Sequence, residues 1–131
     1  MEDKSVLYQI PIPSTDVGGK IQFEHDGEMA LLSFEYSQGY TAHRSVIEFK
    51  KVRGFRQRAE IHCSAWHIEV AYDTLVEVAP SRWAEEIIAD SPERGQKSWV
   101  LRHFLIYLDS AGAYEVLAES WTASTIVIDA V

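Results

Sequence analysis

The segment EIHCSAWH, residues 60–67, contains three side chains that are able to bind a metal or to act in nucleophilic catalysis: His62, Cys63 and His67. A structural zinc site needs four ligands, and the chain has no second cysteine to complete a usual ligand pair. On a continuous strand His62 and His67 would also point to opposite faces. We therefore expect no metal site and no cofactor, and we interpret Cys63 as a small core residue rather than as a nucleophile.

A basic stretch, KKVRGFRQR at residues 50–58, holds five basic side chains and no acidic one in a chain whose formal net charge is -8. Arg56 and Arg58 would share the outward face of a strand here, so they are candidates for binding an anion or a protein partner. The alternative, that acidic neighbours such as Glu35 or Glu69 pair with these arginines across the sheet, stays open. The net acidity argues against general binding to nucleic acid, because such affinity depends on net positive contacts.

Tryptophan often dominates the energetics of protein binding, and two of the four tryptophans lie beside polar segments. Trp66 belongs to the histidine-rich segment, and Trp99 follows a polar, turn-rich stretch. The candidate binding residues are therefore Arg56, Arg58, His62, Trp66, His67 and Trp99. We predict no catalytic residue, because the chain lacks the G-x-S-x-G, P-loop, G-x-G-x-x-G and H-E-x-x-H motifs. We interpret Glu115 and Glu119 as part of a solvated strand face.

The elements that must position these residues are mostly strands, because apolar and polar side chains alternate with period two through most of the chain. The turn sequences HDGE (25–28) and DSAG (109–112) predict two hairpins. Residues 68–78, IEVAYDTLVEV, predict the most regular half-buried strand. Ser81 suits a helix N-cap, and the apolar stripe that follows it predicts one short helix over residues 82–89.

The predicted fold is α+β and predominantly antiparallel β, a sandwich or a half-open barrel of about seven or eight strands with that one helix. The length of 131 residues suits a single domain that spans residues 1–131. The chain has one cysteine, an N-terminus without a secretory pattern, and no apolar stretch of about 20 residues. These features predict a soluble, cytoplasmic protein without a membrane segment.

The stretches AYDTLVEVAPSRW and RHFLIYLDSAGAYEVLAESW resemble segments of small bacterial proteins of unassigned function, and the resemblance covers residues 43–121. In size, acidity and aromatic content the chain is also similar to immunity proteins that neutralise bacterial toxins. We therefore expect a non-enzymatic bacterial interaction domain, immunity-like, that binds a protein partner. The alternative is a small enzyme or a small-ligand-binding β-barrel with a pocket near His62, Cys63 and His67. A homodimer formed through an open sheet edge is a further possibility.

Overall fold

A computed structural model of the chain describes residues 2–92 and 100–130. These residues form two antiparallel sheets and two α-helices. The strands are β1 (Asp3–Gln9), β2 (Gln22–His25), β3 (Ala30–Gln38), β4 (Thr41–Lys50), β5 (Gly54–Arg58), β6 (Thr74–Ala79), β7 (Arg102–Leu108), β8 (Gly112–Ala118) and β9 (Ser120–Ala130). The helices are α1 (Ala65–Ile68) and α2 (Arg82–Asp90). The predominance of antiparallel β structure is confirmed, although the nine strands are more than we expected.

The two sheets share one apolar core. The first sheet has the order β1-β6-β7-β8-β5, and the second has the order β2-β3-β4-β9. Side chains from both sheets meet in the core, where the ring centroids of Phe49 and Phe104 lie 5.6 Å apart. A second apolar cluster lies on the other face of the first sheet, and both helices contact β7. β7 and β8 are therefore buried on both faces.

The predicted helix and both predicted hairpins are confirmed. α2 begins after Ser81, whose Oγ accepts a hydrogen bond from the Ala84 N–H at 3.0 Å. The hairpin turns contain Gly27 and Gly112, which adopt left-handed φ values of 101° and 99°. Gly112 has a second requirement, because a Cβ at this position would lie 2.1 Å from the carbonyl oxygen of Arg58. Of the described helices, neither has the length and apolar character that crossing a membrane demands.

The strand predicted over residues 68–78 is wrong in its first half. Only the second half forms a strand, β6, which begins at Thr74, and residue 68 is the last residue of α1. Ser64 is the N-cap of α1 and forms a capping box with His67. In this box the Ser64 N–H donates a hydrogen bond to the His67 ring. Val70 and Asp73 then adopt φ values of 66° and 55°, which a continuous strand does not allow. The alternation also gives the wrong burial here, since Ile68, Val70 and Tyr72 are exposed whereas Ala71 and Asp73 are buried.

Candidate functional site

Arg56 and Glu115 form the polar pair at the centre of the site. They face each other across β5 and β8, and Arg56 donates from Nε and Nη2 to the two carboxylate oxygens at 2.9 and 3.0 Å. The Glu115 side chain is only 4% exposed, whereas that of Arg56 is 48% exposed. The prediction of a solvated Glu115 is therefore wrong. Neither Glu35 nor Glu69 is the partner of Arg56, and Glu35 pairs instead with Arg44.

The polar pair continues inward as a chain of buried hydrogen bonds. His103 Nε2 lies 2.8 Å from Glu115, and His103 Nδ1 lies 2.8 Å from the Ser81 hydroxyl. Because the Ser81 oxygen already accepts the Ala84 N–H, its proton is available to His103 Nδ1. With a proton on Nε2 donated to Glu115, every member of this series of hydrogen bonds has a partner. This series of hydrogen bonds connects the start of α2 to β7, β8 and β5.

Glu115 remains ionised near neutral pH in spite of its burial. Burial raises the pKa of Glu115, but hydrogen bonds from His103 and Arg56 outweigh burial and lower this pKa to about 2. The buried negative charge therefore holds the Arg56 guanidinium in one place.

Ser81, His103 and Glu115 have the residue types of a hydrolytic triad, but their arrangement is suited to a structural role. Ser81 is 8% exposed and His103 is 1% exposed, so a substrate carbonyl has no approach to the hydroxyl. The Ser81 oxygen is also occupied as the N-cap of α2. These contacts attach α2 to the first sheet.

Arg56 and two tryptophans border a surface groove above this chain. The Arg56 guanidinium carbon lies 4.1 Å from the ring centroid of Trp83, and the Lys4 ammonium lies 4.7 Å from that of Trp66. Lys4 also donates to the carbonyl oxygens of Trp66 and Glu69. The groove has a volume of about 290 Å³, and we name it the Trp66–Trp83 groove. It is lined by Glu2, Arg56, Trp66, His67, Arg82, Trp83 and Glu86.

His67 forms an uncharged part of the groove wall. Its Nδ1 accepts the Ser64 N–H at 3.0 Å, and the residue is buried. Burial lowers the pKa of His67, and the positive charge of nearby Arg58 lowers it further. The imidazole is therefore neutral at physiological pH, and its orientation is set by the helix cap.

Three of the six predicted binding residues, Arg56, Trp66 and His67, come together in the groove. The other two described residues do not line it. Arg58 is exposed and donates to the carbonyl oxygen of His62 at 3.4 Å, and His62 is itself exposed. Trp99 lies outside the described residues.

Cys63 is half-buried and packs against the second apolar cluster, as a small core residue does. Its thiol lies 3.5 Å from the carbonyl oxygens of both Arg58 and Ala59 and can donate to them. His62 and Cys63 do not line the Trp66–Trp83 groove. The described residues include no group of three or more His, Cys, Asp or Glu side chains with the spacing to hold a metal ion.

Trp83, His103 and Glu115 are not among the six binding residues predicted from the sequence. Trp83 belongs to the apolar stripe of α2, which indicates only burial. A usable signal exists for the other two residues, because each interrupts a run of apolar residues in β7 or β8. A charged or polar side chain in a strand that is buried on both faces requires a buried partner.

This chain matches no protein-family model, no curated protein sequence and no solved structure.

Proposed function

We propose that this protein is a non-enzymatic interaction domain, built on a β-sandwich, that binds a protein partner through the Trp66–Trp83 groove. One observation carries the proposal: two half-buried tryptophan rings, each stacked by a cation, border a groove beside an immobilised arginine. Tryptophan and arginine are the residue types most enriched among the side chains that dominate binding energy.

The contacts of Arg56 prepare it for binding. Its Nε and Nη2 bond to Glu115 and its plane stacks on Trp83, so little side-chain entropy remains to be lost in a complex. Among the contacts of the described residues, its Nη1 has no hydrogen-bond partner, and half of the side chain is exposed. Nη1 is therefore the donor that a carbonyl or carboxylate of the partner would meet.

The charges around the groove suit a protein partner better than a simple anion. Arg56 and Arg82 lie beside Glu2 and Glu86, so the lining carries both signs. We propose that an apolar or aromatic side chain enters between the tryptophans while polar groups pair at the rim. The partner is basic overall, since a chain of net charge -8 attracts such a protein over longer distances. A bacterial toxin neutralised in the cytoplasm fits this description.

Affinity purification from the native host, with mass spectrometry, should identify one stoichiometric partner. Calorimetric titration then compares wild type with Trp66→Ala, for which we expect affinity to fall by about 30-fold or more. Trp121→Ala is the matched control, because Trp121 is also half-buried but packs against Tyr8 on the opposite side of the core. It should bind as tightly as wild type.

Reversal of a rim charge tests the same surface without loss of packing. Arg82 is exposed, and Glu2 accepts the backbone N–H of this residue, so Arg82→Glu preserves that contact. We expect a faster dissociation of the complex, because a rim contact of Arg82 is lost, no slower association with a basic partner, and an unchanged melting temperature. The proposal fails if wild type carries a bound small molecule and no protein. It also fails if Trp66→Ala and Arg82→Glu both bind the recovered partner as wild type does.

A further inference from the structure

β9 is the longest of the four strands that lie at the edges of the two sheets. It has 11 residues, whereas the edge strands β1, β5 and β2 have seven, five and four. Within the described part of the chain β9 pairs only with β4, so its other edge has no neighbouring strand. A row of backbone N–H and C=O groups is therefore available along this edge.

The residues of β9 do not protect this edge. Proteins usually guard a long edge with charged side chains, proline or a bulge. Residues 120–128 include no charged residue and no proline. The register shift against β4 lies near the end of the strand, beyond Val127. Ile126 and Val127 are 54% and 62% exposed, so apolar surface lies beside the open edge.

Ile126 also borders a groove of about 680 Å³ on the outer face of the second sheet. Leu31 and Val46 lie in this groove beside charged residues, namely Lys20, Glu24, Glu35 and Arg44. Trp121 and Ala123, on the opposite face of β9, pack against the core. The strand is therefore held firmly on one face, and its outer face and its edge remain open.

We propose that two copies of this chain pair through β9 as antiparallel edge strands and form a continuous eight-stranded sheet. A two-fold axis normal to the sheet relates the two strands, so the same surface serves both copies. The two contacting surfaces are identical: each is an uncharged strand with unpaired backbone groups along its edge and exposed β-branched side chains.

The distribution of charge identifies a second copy as the occupant of this edge. Two chains of net charge -8 repel each other, so they associate only where the contact itself is uncharged. Residues 120–128 provide such a strip, which is about 30 Å long at the rise of an extended strand. The one acidic residue of β9, Asp129, lies near its end, and an axis through the middle of β9 places the two copies of Asp129 far apart. A basic partner would gain nothing from an uncharged strip.

A single pair of edge strands buries less surface area than a standard protein–protein interface, so we expect the dimer to associate weakly. Sedimentation velocity over about a hundredfold range of concentration should show a reversible equilibrium between monomer and dimer for wild type. Hydrogen exchange of the same samples should show that β9 amides become protected as the dimer forms. The Trp66–Trp83 groove lies on the other sheet, so this equilibrium is independent of partner binding.

Paired charge variants test the interface directly. Ser124 and Ile126 are both exposed on the outer face of β9, and the double variant Ser124→Lys/Ile126→Lys places like charges on both sides of the axis. We expect its dimerisation constant to fall by about tenfold or more. The variant Ser124→Glu/Ile126→Glu should show a similarly weakened dimerisation. A mixture of the lysine and glutamate variants should form a heterodimer.

The control Glu85→Gln/Ala89→Lys adds the same charge on the exposed face of α2 and should dimerise as wild type does. The proposal is overturned if wild type stays monomeric over the whole range, or if the lysine variant dimerises as well as this control. Should the charge variants fail to fold, hydrogen exchange of wild type decides: β9 amides whose protection does not depend on concentration would also overturn it.

Discussion

Replacing Glu115 by glutamine removes the charge on which the buried polar chain depends. The carboxylate accepts two hydrogen bonds from Arg56 and one from His103, and its side chain is only 4% exposed. Glutamine preserves the volume, and its amide oxygen can keep the bonds from His103 Nε2 and Arg56 Nη2, which share one carboxylate oxygen. Its amide nitrogen then faces the Arg56 Nε–H, and the buried negative charge that pairs with the guanidinium is lost.

The pKa of Glu115 provides the magnitude of the expected loss. Burial raises this pKa, but the hydrogen bonds from His103 and Arg56 bring it from 4.5 to about 2. One unit of difference between the folded and unfolded states corresponds to about 1.4 kcal/mol, so the ionised carboxylate contributes about 3 kcal/mol to the free energy of unfolding. The pKa of Glu115 is lower in the folded state than in the unfolded state. The stabilising contribution is therefore complete above a pH of 4.5 and is lost as the pH falls toward 2.

Urea unfolding, followed by tryptophan fluorescence, measures the free energy of unfolding of wild type and Glu115→Gln as a function of pH. Near neutral pH we expect the variant to be less stable by about 3 kcal/mol. At a pH of about 3 the difference should be smaller by about 2 kcal/mol, because the carboxyl group of the unfolded chain is then protonated.

The surface pair of Glu35 and Arg44 supplies the control. Their side chains are 49% and 45% exposed, so Glu35→Gln should cost less than about 1 kcal/mol. Two results would refute the reasoning about Glu115: a loss as small as that of Glu35→Gln, or a loss that does not change between neutral and acidic pH.

Two further predictions concern the hairpin turns and the start of α2. Gly112 and Gly27 both have left-handed φ, but a Cβ at Gly112 would meet the Arg58 carbonyl oxygen at 2.1 Å, whereas nothing lies within 4 Å at Gly27. We expect Gly27→Ala to cost about 1 kcal/mol and Gly112→Ala at least about twice as much in urea unfolding; equal losses would contradict the steric argument. Ser81→Ala removes both the N-cap of α2 and a hydrogen-bond partner of His103, so we expect a loss of about 1 to 2 kcal/mol. A loss below about 0.5 kcal/mol would show that the cap is not needed.

Local sequence features predict those elements whose stabilising contacts are local. α2 and both hairpins are predicted correctly, because a capping hydroxyl and turn glycines act on the backbone within a few residues. The strand over residues 68–78 is predicted incorrectly, because distant contacts decide the path of its first half. The Asp73 N–H donates to the Tyr107 carbonyl oxygen at 2.8 Å, and the Tyr107 N–H donates to the carbonyl oxygen of Ala71 at 2.9 Å.

Residue type alone identifies part of the candidate site. Arg56 and Trp66 are candidates in any sequence, because arginine and tryptophan dominate binding surfaces. The partner of Arg56 is not accessible to the same reasoning, since Glu115 lies far away along the chain and twenty acidic residues compete for that role. The strand register that places Glu115 opposite Arg56 arises only when β5 joins the edge of the first sheet.

The sequence by itself determines that this chain forms antiparallel strands around an apolar core, because side-chain period and turn chemistry act over short distances. It also determines the uncharged character of residues 120–128. Only the tertiary structure decides that Arg56 is held by Glu115 and stacked on Trp83, and that β9 lies at the edge of its sheet. These residues lie on separate elements, which meet only when strand pairing and helix packing bring distant parts of the chain together.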